Sequence, residues 1–506
     1  MGYVLKLRRS KRVMVPLLNK IEKFWEFGGG RMVVAAFCAH SVGISIGITQ
    51  GYSAIWLPQL NTSQEFNLTA DQRSWLASLG AVTNPIGSIA SGVLAEVWGR
   101  KHSIQISSVP FIAGWMLIGL SRDVPWLYVG RLITGIAAGM STASFTYVGE
   151  IATPDTRGFL QTLSPIFASF GILLTYVLGY LVPWRTIALI SVVFAILTLV
   201  SMQLLPDSPA HLIKSHGGPI TRNSKAYESY VYFNRNVATA EQEIRELSTR
   251  IFSSEKVQQK SLREIYLSPE TVKPFFILVV LFLLQELSGI YTILYYAVQF
   301  IEETHLKIND YLSSIFVGII RFVMSLVCAL LVQKIGRKTL CTFSSLGMTI
   351  SVLILGLYVK YYEINSTKTK ILTLLPLFCI IFNVFFSMMG MLPIPWVLVG
   401  EMFPLRVRPI MAGVVICIAQ TFIFVCVKMY TSMVDFLGFS GTIFSFFAAS
   451  ALAMMYSKYV LPETKGKTLD EIEAYFRDSR GDGRKVSGVS NRGFSVSSEN
   501  VSVVVR

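Results

Sequence analysis

Long apolar runs dominate the chain, and short polar segments separate them. A helix needs about 20 mostly apolar residues to cross a hydrocarbon core of ~30 Å. Twelve runs meet this requirement, at about residues 32–57, 74–97, 103–120, 125–149, 159–181, 184–205, 274–301, 311–333, 339–360, 372–400, 409–432 and 437–460. The runs are continuous, whereas transmembrane β-strands are alternating segments of about 10 residues. We therefore predict an all-α membrane protein with twelve transmembrane helices, called spans one to twelve.

Composition and charge support this class. Of the 506 residues, 52% are apolar and 15% are charged, which is more apolar surface than a soluble protein can bury. The net charge of +15 could suggest a nucleic-acid partner, but the basic residues gather before span one, after spans two, eight and ten, and in the segment 206–273. The positive-inside rule then places both termini and that segment in the cytosol. We expect a multi-pass plasma-membrane protein that binds no nucleic acid.

Three N-x-S/T sequons lie in loops that this topology places outside the cell, where they can accept glycans. They begin at Asn61, Asn67 and Asn365. All six cysteines fall within the spans, as expected for small buried apolar residues rather than a disulfide framework. The sequence contains no nucleophile–base set, nucleotide loop or metal-ligand cluster, so we expect no enzyme activity, no cofactor and no metal.

The chain contains an internal repeat. GVLAEVWGRK (92–101) matches ALLVQKIGRK (329–338), and GEIATPDTRG (149–158) matches GEMFPLRVRP (400–409). Both motifs of the first pair follow the second span of their half, and both motifs of the second pair follow the fourth span. Repeats of this kind predict a substrate site near the bilayer midplane between two halves that rock against each other.

The repeat divides the chain into five segments. We predict two six-helix halves, at 32–205 and 274–460. The other segments are expected in the cytosol: an N-terminal segment (1–31), a linker with short helices (206–273) and a C-terminal tail (461–506).

Further motifs carry a family resemblance. They are PDSPAHL after span six, QELSGI in span seven, PIPW in span ten and PETKGKTLDEIE after span twelve. With the repeated motifs, they make the chain from about residue 35 to 475 resemble the sugar porter family of the major facilitator superfamily. Within that family it is most similar to the insect-type facilitated trehalose transporters, on Pro165 and the QGYS stretch at 50–53. The resemblance implies the major facilitator fold, a sugar as small-molecule substrate, and a monomeric transport unit in the lipid bilayer.

The resemblance also implies a sugar site. The family's span seven normally reads Q-Q-L-S-G-I-N, and a span-eight asparagine joins it in binding sugar hydroxyls. Here the second Gln is Glu286, the Asn is Tyr291, and the span-eight Asn falls on Arg321. The apolar side of a sugar ring can pack against the face of a tryptophan, which is Trp396 of the PIPW motif here. The predicted substrate-binding set is Gln285, Glu286, Tyr291, Arg321, Trp396 and Gln50.

Two charges in this set lie at nearly the same depth. Glu286 follows Pro274 by 12 residues and Arg321 follows Asp310 by 11 residues, which places them roughly 18 Å and 16 Å in from opposite sides. A lone charge at that depth costs at least about 2.5–3.5 kcal/mol. We therefore predict that the two face each other across the central cavity. The pair could bind sugar hydroxyls, act as a structural pin, or accept a charged or non-sugar substrate.

Carboxylates and arginines recur at the cytosolic ends of the helices. Glu150 and Glu401 follow spans four and ten, and in the family such groups latch the cytosolic side shut in the outward-facing state. Forked, charge-assisted hydrogen bonds suit this role. We call the group around Glu150 the first latch and the group around Glu401 the second latch. Gln333 replaces a family carboxylate near the second latch, so we expect the second latch to be weaker than the first. The matched arginines are Arg100, Arg157, Arg337 and Arg408.

Ser53 bears on the energy source. Proton-coupled sugar porters carry an aspartate at this position, and serine does not titrate in the physiological range, so the sequence favours facilitated diffusion. A carrier of another polyol or a non-sugar solute, a proton-coupled symporter, and a sensor that binds without transporting remain alternatives. Arg131 matches a family arginine and is interpreted as structural, with Gly135 and Gly139 allowing close helix contact.

Overall fold

The structure is a computed structural model, and it describes residues 29–477 apart from 64, 67, 153, 217–223, 235–240, 242–243, 246–247, 249–265, 304–308, 366–373, 405–406 and 468. The regular elements in this part of the chain are helices. The basic N-terminal segment, the sequon residue Asn67 and most of the tail lie outside the described residues. The side chains of Asn365 and Arg408 lie outside them as well.

Spans one to six follow the predicted order. Their helices are Gly29–His40 with Val42–Ser63, Ala70–Val82 with Asn84–Val97, Arg100–Gly119, Val124–Met140 with Ala143–Ile151, Pro154–Gln161 with Leu163–Leu181, and Trp184–Gln203. Two short helices, Pro209–His216 and Lys225–Asn234, lie in the predicted linker.

Spans seven to twelve repeat this plan. Their helices are Pro269–Leu287 with Ile290–Tyr295 and Ala297–Glu302, Asp310–Lys334, Arg337–Asn365, Leu375–Met389 with Ile394–Met402, and Arg408–Tyr459. The last helix contains both spans eleven and twelve, which meet at Gly438. Gly438 has a φ of 74°, in the left-handed region that glycine adopts without a steric penalty. A short helix, Leu469–Arg477, follows span twelve.

Seven described helical segments are each long and apolar enough to cross a membrane. One of them, Ile410–Tyr459, has 50 residues, which is enough for two spans of about 20 residues each. Span three is a single helix of 20 residues. In the described part of the chain, six spans are interrupted: span one at Ser41, span two at Thr83, span four at Ser141–Thr142, span five at Thr162, span seven at Ser288–Gly289 and span ten at 390–393. Such interruptions are tolerated in a membrane where neighbouring helices satisfy the freed backbone groups.

Proline and glycine explain two of these breaks. Pro85 lies in the first turn of the second helix of span two, where its missing N–H leaves no hydrogen bond unmade. In span seven, Gly289 has a φ of 80°, which favours glycine because it has no Cβ. A Cβ at Gly289 would also approach the ring of Phe446 to 2.6 Å. The break in span seven therefore depends on this glycine.

Small residues allow the helices of the first half to interlock. A Cβ at Gly135 would overlap the side chain of Thr83, and one at Gly139 would overlap the carbonyl oxygen of Asn84. These contacts bring spans two and four together at the break in span two. The predicted close contact at Gly135 and Gly139 is therefore confirmed. Spans one and five interlock in the same way at Gly47.

The two halves contact each other at their outer ends, meaning the ends opposite the GRK loops. Lys428 Nζ lies 2.6 Å from Asp71 Oδ1, and the Ser74 hydroxyl donates to the Lys428 carbonyl at 3.0 Å. The Tyr176 hydroxyl donates to the Leu294 carbonyl at 3.0 Å. Among the described residues, these ion pairs at the inner end join groups of the same half or join the first half to the linker. The conformation is therefore closed at its outer end.

Candidate functional site

Next to its break, span seven packs against span ten, and this part of span seven contains Gln285, the first of the predicted substrate-binding residues. Gln285 is buried, and its Nε2 donates to the Leu392 carbonyl at 3.0 Å. The Trp396 ring packs edge-on against Phe282 with centroids 5.0 Å apart. Gln285 Oε1 is buried without a partner, and an unsatisfied buried acceptor costs about 1–3 kcal/mol. This oxygen is therefore available to a hydroxyl group of a ligand.

Tyr291 and Arg321 lie in the same region and are both buried. The Tyr291 hydroxyl lies close to the side chain of Trp396. Arg321 interacts electrostatically with Tyr291 and Tyr176, and its Nε is buried without a partner. The group thus combines guanidinium and hydroxyl donors with an indole ring. That chemistry suits a polar molecule that has one apolar face.

Gln50 of span one is half-buried. No hydrogen bond among the described residues joins it to the group on spans seven, eight and ten. Its predicted role in substrate binding stays a prediction.

Glu286 does not pair with Arg321. Its side chain is 1% exposed, and neither carboxylate oxygen has a hydrogen-bond partner. The side chain lines a cavity between span seven and spans eleven and twelve. The predicted ion pair is wrong because depth fixes only one coordinate, whereas successive helical residues point about 100° apart. With Gln285 facing span ten, Glu286 faces a different neighbour.

Arg131 is the buried arginine of span four. Its Nε donates to the Leu76 carbonyl at 3.2 Å and its Nη1 to the Thr49 carbonyl at 3.1 Å. Its Nη2 donates to the Ser53 hydroxyl, and the guanidinium carbon lies 5.6 Å from the centre of the Trp56 ring. Neutral acceptors thus hold Arg131 and tie span four to spans one and two, in agreement with the structural interpretation.

The first latch forms within the first half. Arg100 Nε lies 3.0 Å from Glu150 Oε1, and Arg100 Nη2 lies 3.2 Å from Glu96 Oε1. Arg100 Nη1 donates to Nδ1 of His211, in the first linker helix, at 2.9 Å. Lys214 of that helix also pairs with Glu96, at 2.8 Å. The linker is therefore fastened to the first latch.

The second latch forms within the second half. Arg337 Nη2 lies 2.7 Å from Glu401 Oε1, and Arg337 Nε donates to Glu401 Oε2 at 3.3 Å. The Thr464 hydroxyl also donates to Glu401 Oε2, at 2.7 Å. Both oxygens of Glu401 thus hold one guanidinium, the geometry of a strong forked pair. The side chain of Gln333 lies outside the described residues, and the weaker second latch stays a prediction.

The structure describes no ion pair for the other two predicted latch arginines, Arg157 and Arg408. Arg157 is exposed, and no ion pair joins it to another described residue. The side chain of Arg408 lies outside the described part of the chain. Because the described latch pairs join groups of the same half, the role of these residues in closing the inner end between the halves stays a prediction.

The motifs after spans six and twelve supply carboxylates that the sequence alone did not assign. The Lys101 amide donates to Asp207 Oδ1 at 3.1 Å. Glu463 accepts from the Arg337 amide at 2.8 Å and from the Lys338 amide at 3.2 Å. Each carboxylate lies at the start of a helix, where the free N–H groups and the helix dipole favour negative charge. The two motifs therefore cap spans three and nine.

Glu401→Gln is expected to destabilise the protein more than Glu150→Gln, because Glu401 accepts three described hydrogen bonds and Glu150 accepts one. We expect a loss of about 1 kcal/mol or less, since the Glu401 side chain is 25% exposed and solvent screens such pairs. The measurement is the apparent melting temperature of each variant in detergent. An equal or larger loss in Glu150→Gln would contradict the forked pair.

A contact within the membrane was not anticipated from the sequence. Asn84 Nδ2 donates to Gln420 Oε1 at 3.0 Å, joining spans two and eleven across the two halves. Asn383 of span ten is also buried, and both polar atoms of its side chain lack partners. Polar side chains inside spans are expensive and mark interior surfaces. That rule could have found both asparagines, but not their neighbours.

Asn61 lies in the last turn of the second helix of span one and is exposed. Its Oδ1 accepts a hydrogen bond from Arg73 Nη1 at 2.8 Å. The predicted glycosylation of Asn61, Asn67 and Asn365 stays a prediction.

Comparison with known proteins decides the family. A family model described as "Sugar (and other) transporter" matches residues 32–476. The chain belongs to this sugar transporter family. It is 30% identical over 462 residues to the facilitated trehalose transporter Tret1 of Apis mellifera ligustica, covering 91% of this chain and 90% of the relative. For Tret1 of Bombyx mori the identity is 28%, with 87% and 86% covered. As a family member, the chain is an integral membrane protein.

Solved structures share the fold of this family member. The proton:xylose symporter XylE bound to 6-bromo-6-deoxy-D-glucose superposes with a TM-score of 0.73 at 22% identity, covering 89% of this chain and 100% of XylE. The inward-open conformation of XylE from E. coli gives a TM-score of 0.70 at 24% identity, covering 87% and 98%. The predicted major facilitator fold, with two six-helix halves, is confirmed.

Proposed function

We propose that this family member is a facilitated, passive transporter of a sugar, either trehalose or a hexose. The observation that carries the proposal is the group formed by Gln285, Tyr291, Arg321 and Trp396. It offers an unpaired buried acceptor and an unpaired buried donor close to an indole ring. A site built to hydrogen-bond hydroxyls rejects molecules without them, because its buried polar groups are then left unpaired. The insect relatives described as facilitated trehalose transporters support the same substrate class.

In this proposal the sugar lies between the two halves and contacts both. Gln285, Tyr291 and Arg321 supply hydrogen bonds, and Trp396 covers the apolar side of the ring. Gln50 would complete the site from span one. Glu286 was predicted as a further contact, and its buried, unpartnered carboxylate directed towards spans eleven and twelve favours a different role.

Passive transport is supported by the surroundings of Arg131. Its three nitrogens donate to carbonyl groups and to the Ser53 hydroxyl. No carboxylate contacts it among the described residues, so this position offers no group that would carry a proton with the sugar. Uniport by alternating access requires only that the halves rock, with the contacts at the outer end breaking as the halves approach each other at the inner end.

The proposal includes a location and an orientation. The protein would act as a monomeric transport unit in the plasma membrane with both termini in the cytosol. The basic loops and the outer sequons of the sequence support this orientation.

Uptake into proteoliposomes tests the proposal. Labelled trehalose and glucose are compared at acidic and neutral pH, with and without an uncoupler. We expect saturable uptake of one of these sugars that neither pH nor the uncoupler changes. Trp396→Ala should lower the saturable uptake, to a smaller extent than loss of the Arg321 guanidinium, whereas Trp126→Ala, at an exposed tryptophan, should leave it unchanged. Loss of uptake with the uncoupler would instead indicate a proton-coupled symporter.

Arg321 favours one alternative, a carrier of another polyol or of a non-sugar solute. A cation at a family sugar-contact position would accept an anionic group as well as a hydroxyl. Absence of trehalose and glucose uptake by correctly folded protein would support this second function.

A further inference from the structure

A cavity of about 390 Å³ lies between span seven and spans eleven and twelve. This volume falls within the range of about 300–1,000 Å³ that is typical of small-molecule pockets. Its wall is almost entirely apolar and includes Leu284, Phe422, Met429, Phe446 and Leu452. The group proposed to bind sugar lies against span ten instead, where Gln285 contacts Leu392. The cavity therefore lies on a different side of span seven from that contact, and Glu286 in its wall is within electrostatic range of Tyr291.

Two buried polar groups in the cavity wall have no partner. Glu286 is 1% exposed and Tyr430 is 2% exposed. Both carboxylate oxygens of Glu286 and the hydroxyl of Tyr430 lack hydrogen bonds. Ionisable side chains inside a membrane are costly without a partner, so they normally pair or line a water-filled cavity. This cavity is apolar, and a bound ligand would supply the missing partner.

The mouth of the cavity faces the lipid. Met429 is 51% exposed and Leu452 is 54% exposed, and both line the cavity. On span eleven, Met429 continues an exposed apolar stripe with Val414 and Val425, whereas Gln420 contacts the first half. An exposed apolar stripe on a membrane helix faces hydrocarbon. A ligand can therefore enter the cavity sideways from the bilayer.

We propose that this cavity is a binding site for an amphiphilic amine taken up from the bilayer. The apolar body fills the cavity, and the protonated nitrogen pairs with the Glu286 carboxylate, with the Tyr430 hydroxyl as a second polar contact. An acyl chain of a phospholipid would fill the space but leave both groups unpaired. A neutral alcohol supplies one donor and no charge, and an anionic amphiphile would be repelled. Charge complementarity therefore favours the amine.

The bound ligand would also contact the helix break of span seven. Phe446 lines the cavity and packs against Gly289, the residue at that break. Occupancy of the cavity would therefore restrain the segment that carries Gln285 and Tyr291.

Photolabelling tests the site without reference to transport. The full-length protein in proteoliposomes is labelled with a diazirine-bearing long-chain alkylamine or with the matched alcohol, and labelled peptides are mapped by mass spectrometry. We expect the amine to label the segments around Cys426 and Phe446 about tenfold more than the alcohol, a difference of about 1.4 kcal/mol. Unlabelled amine should compete. Equal labelling by amine and alcohol would overturn the proposal.

Two variants and a control locate the ligand. Glu286→Gln should reduce amine labelling to the level of the alcohol. Leu452→Trp, at the mouth, should reduce labelling by narrowing the cavity and leaves the carboxylate in place if Glu286→Gln does not fold. Met455→Trp replaces another exposed apolar residue of span twelve that does not line the cavity, and should change nothing. Unchanged amine labelling in Leu452→Trp would exclude this cavity, whether or not the protein transports sugar.

Discussion

Arg321→Asn is expected to lower sugar uptake more than any other single substitution in the proposed site. The guanidinium is buried, lies near Tyr291 and Tyr176, and has a buried Nε without a protein partner. A hydrogen bond to a charged group contributes about 1.5–3 kcal/mol, which corresponds to roughly ten- to hundredfold in affinity. The measurement is the concentration dependence of uptake in proteoliposomes.

Arg321→Lys is the matched control, because it keeps the charge and loses the planar fork. It should retain more uptake than Arg321→Asn. An Arg321→Asn variant that transports normally, at wild-type surface level, would remove Arg321 from the site.

A double variant that combines Arg321→Asn with Glu286→Gln tests whether these two charged side chains form an ion pair or act independently. An ion pair would make the double variant less impaired than either single variant, since removing both charges leaves none unpaired. The structure places no contact between the two side chains, so we expect their effects to multiply, as for independent sites. Recovery in the double variant would contradict the described geometry.

Gly139→Ala is expected to cause the largest loss of stability. A Cβ at this position would overlap the carbonyl oxygen of Asn84 and approach the Ser88 amide to 2.8 Å. Both are backbone atoms of span two, so neither can move aside as a flexible side chain would. Overpacking a close contact costs about 1–3 kcal/mol, and here spans two and four must separate. The apparent melting temperature in detergent should fall clearly below that of the wild type.

Gly92→Ala is the control, since no atom lies within 4 Å of a Cβ there. Gly92 is also within a helix, where alanine is preferred to glycine by roughly 0.5–1 kcal/mol. Gly92→Ala should therefore be neutral or slightly stabilising. Equal melting temperatures for the two variants would show that spans two and four are not in such close contact.

The sequence by itself determined the helical membrane class, the order of the spans and the fold. It also placed Arg100 near Glu150 and Arg337 near Glu401, because each pair is fixed at a helix end by the repeated motifs. Gly135 and Gly139 were recognisable as a close helix contact because only small residues allow it. The polarity of a membrane changes with depth along its normal. The pattern of apolar and charged residues in the sequence therefore indicates the depth of each residue well.

The tertiary structure alone decided which neighbour each intramembrane side chain faces. Glu286 and Arg321 have matching depths, yet Glu286 lines a cavity beside spans eleven and twelve. Gln420 lies inside span eleven and bonds to Asn84 of the other half. Rotation of a helix about its own axis is set by packing against distant parts of the chain, at sites such as Gly289 against Phe446. The local sequence indicates how deep a side chain lies in the membrane, but only the packing of the helices decides which neighbour that side chain faces.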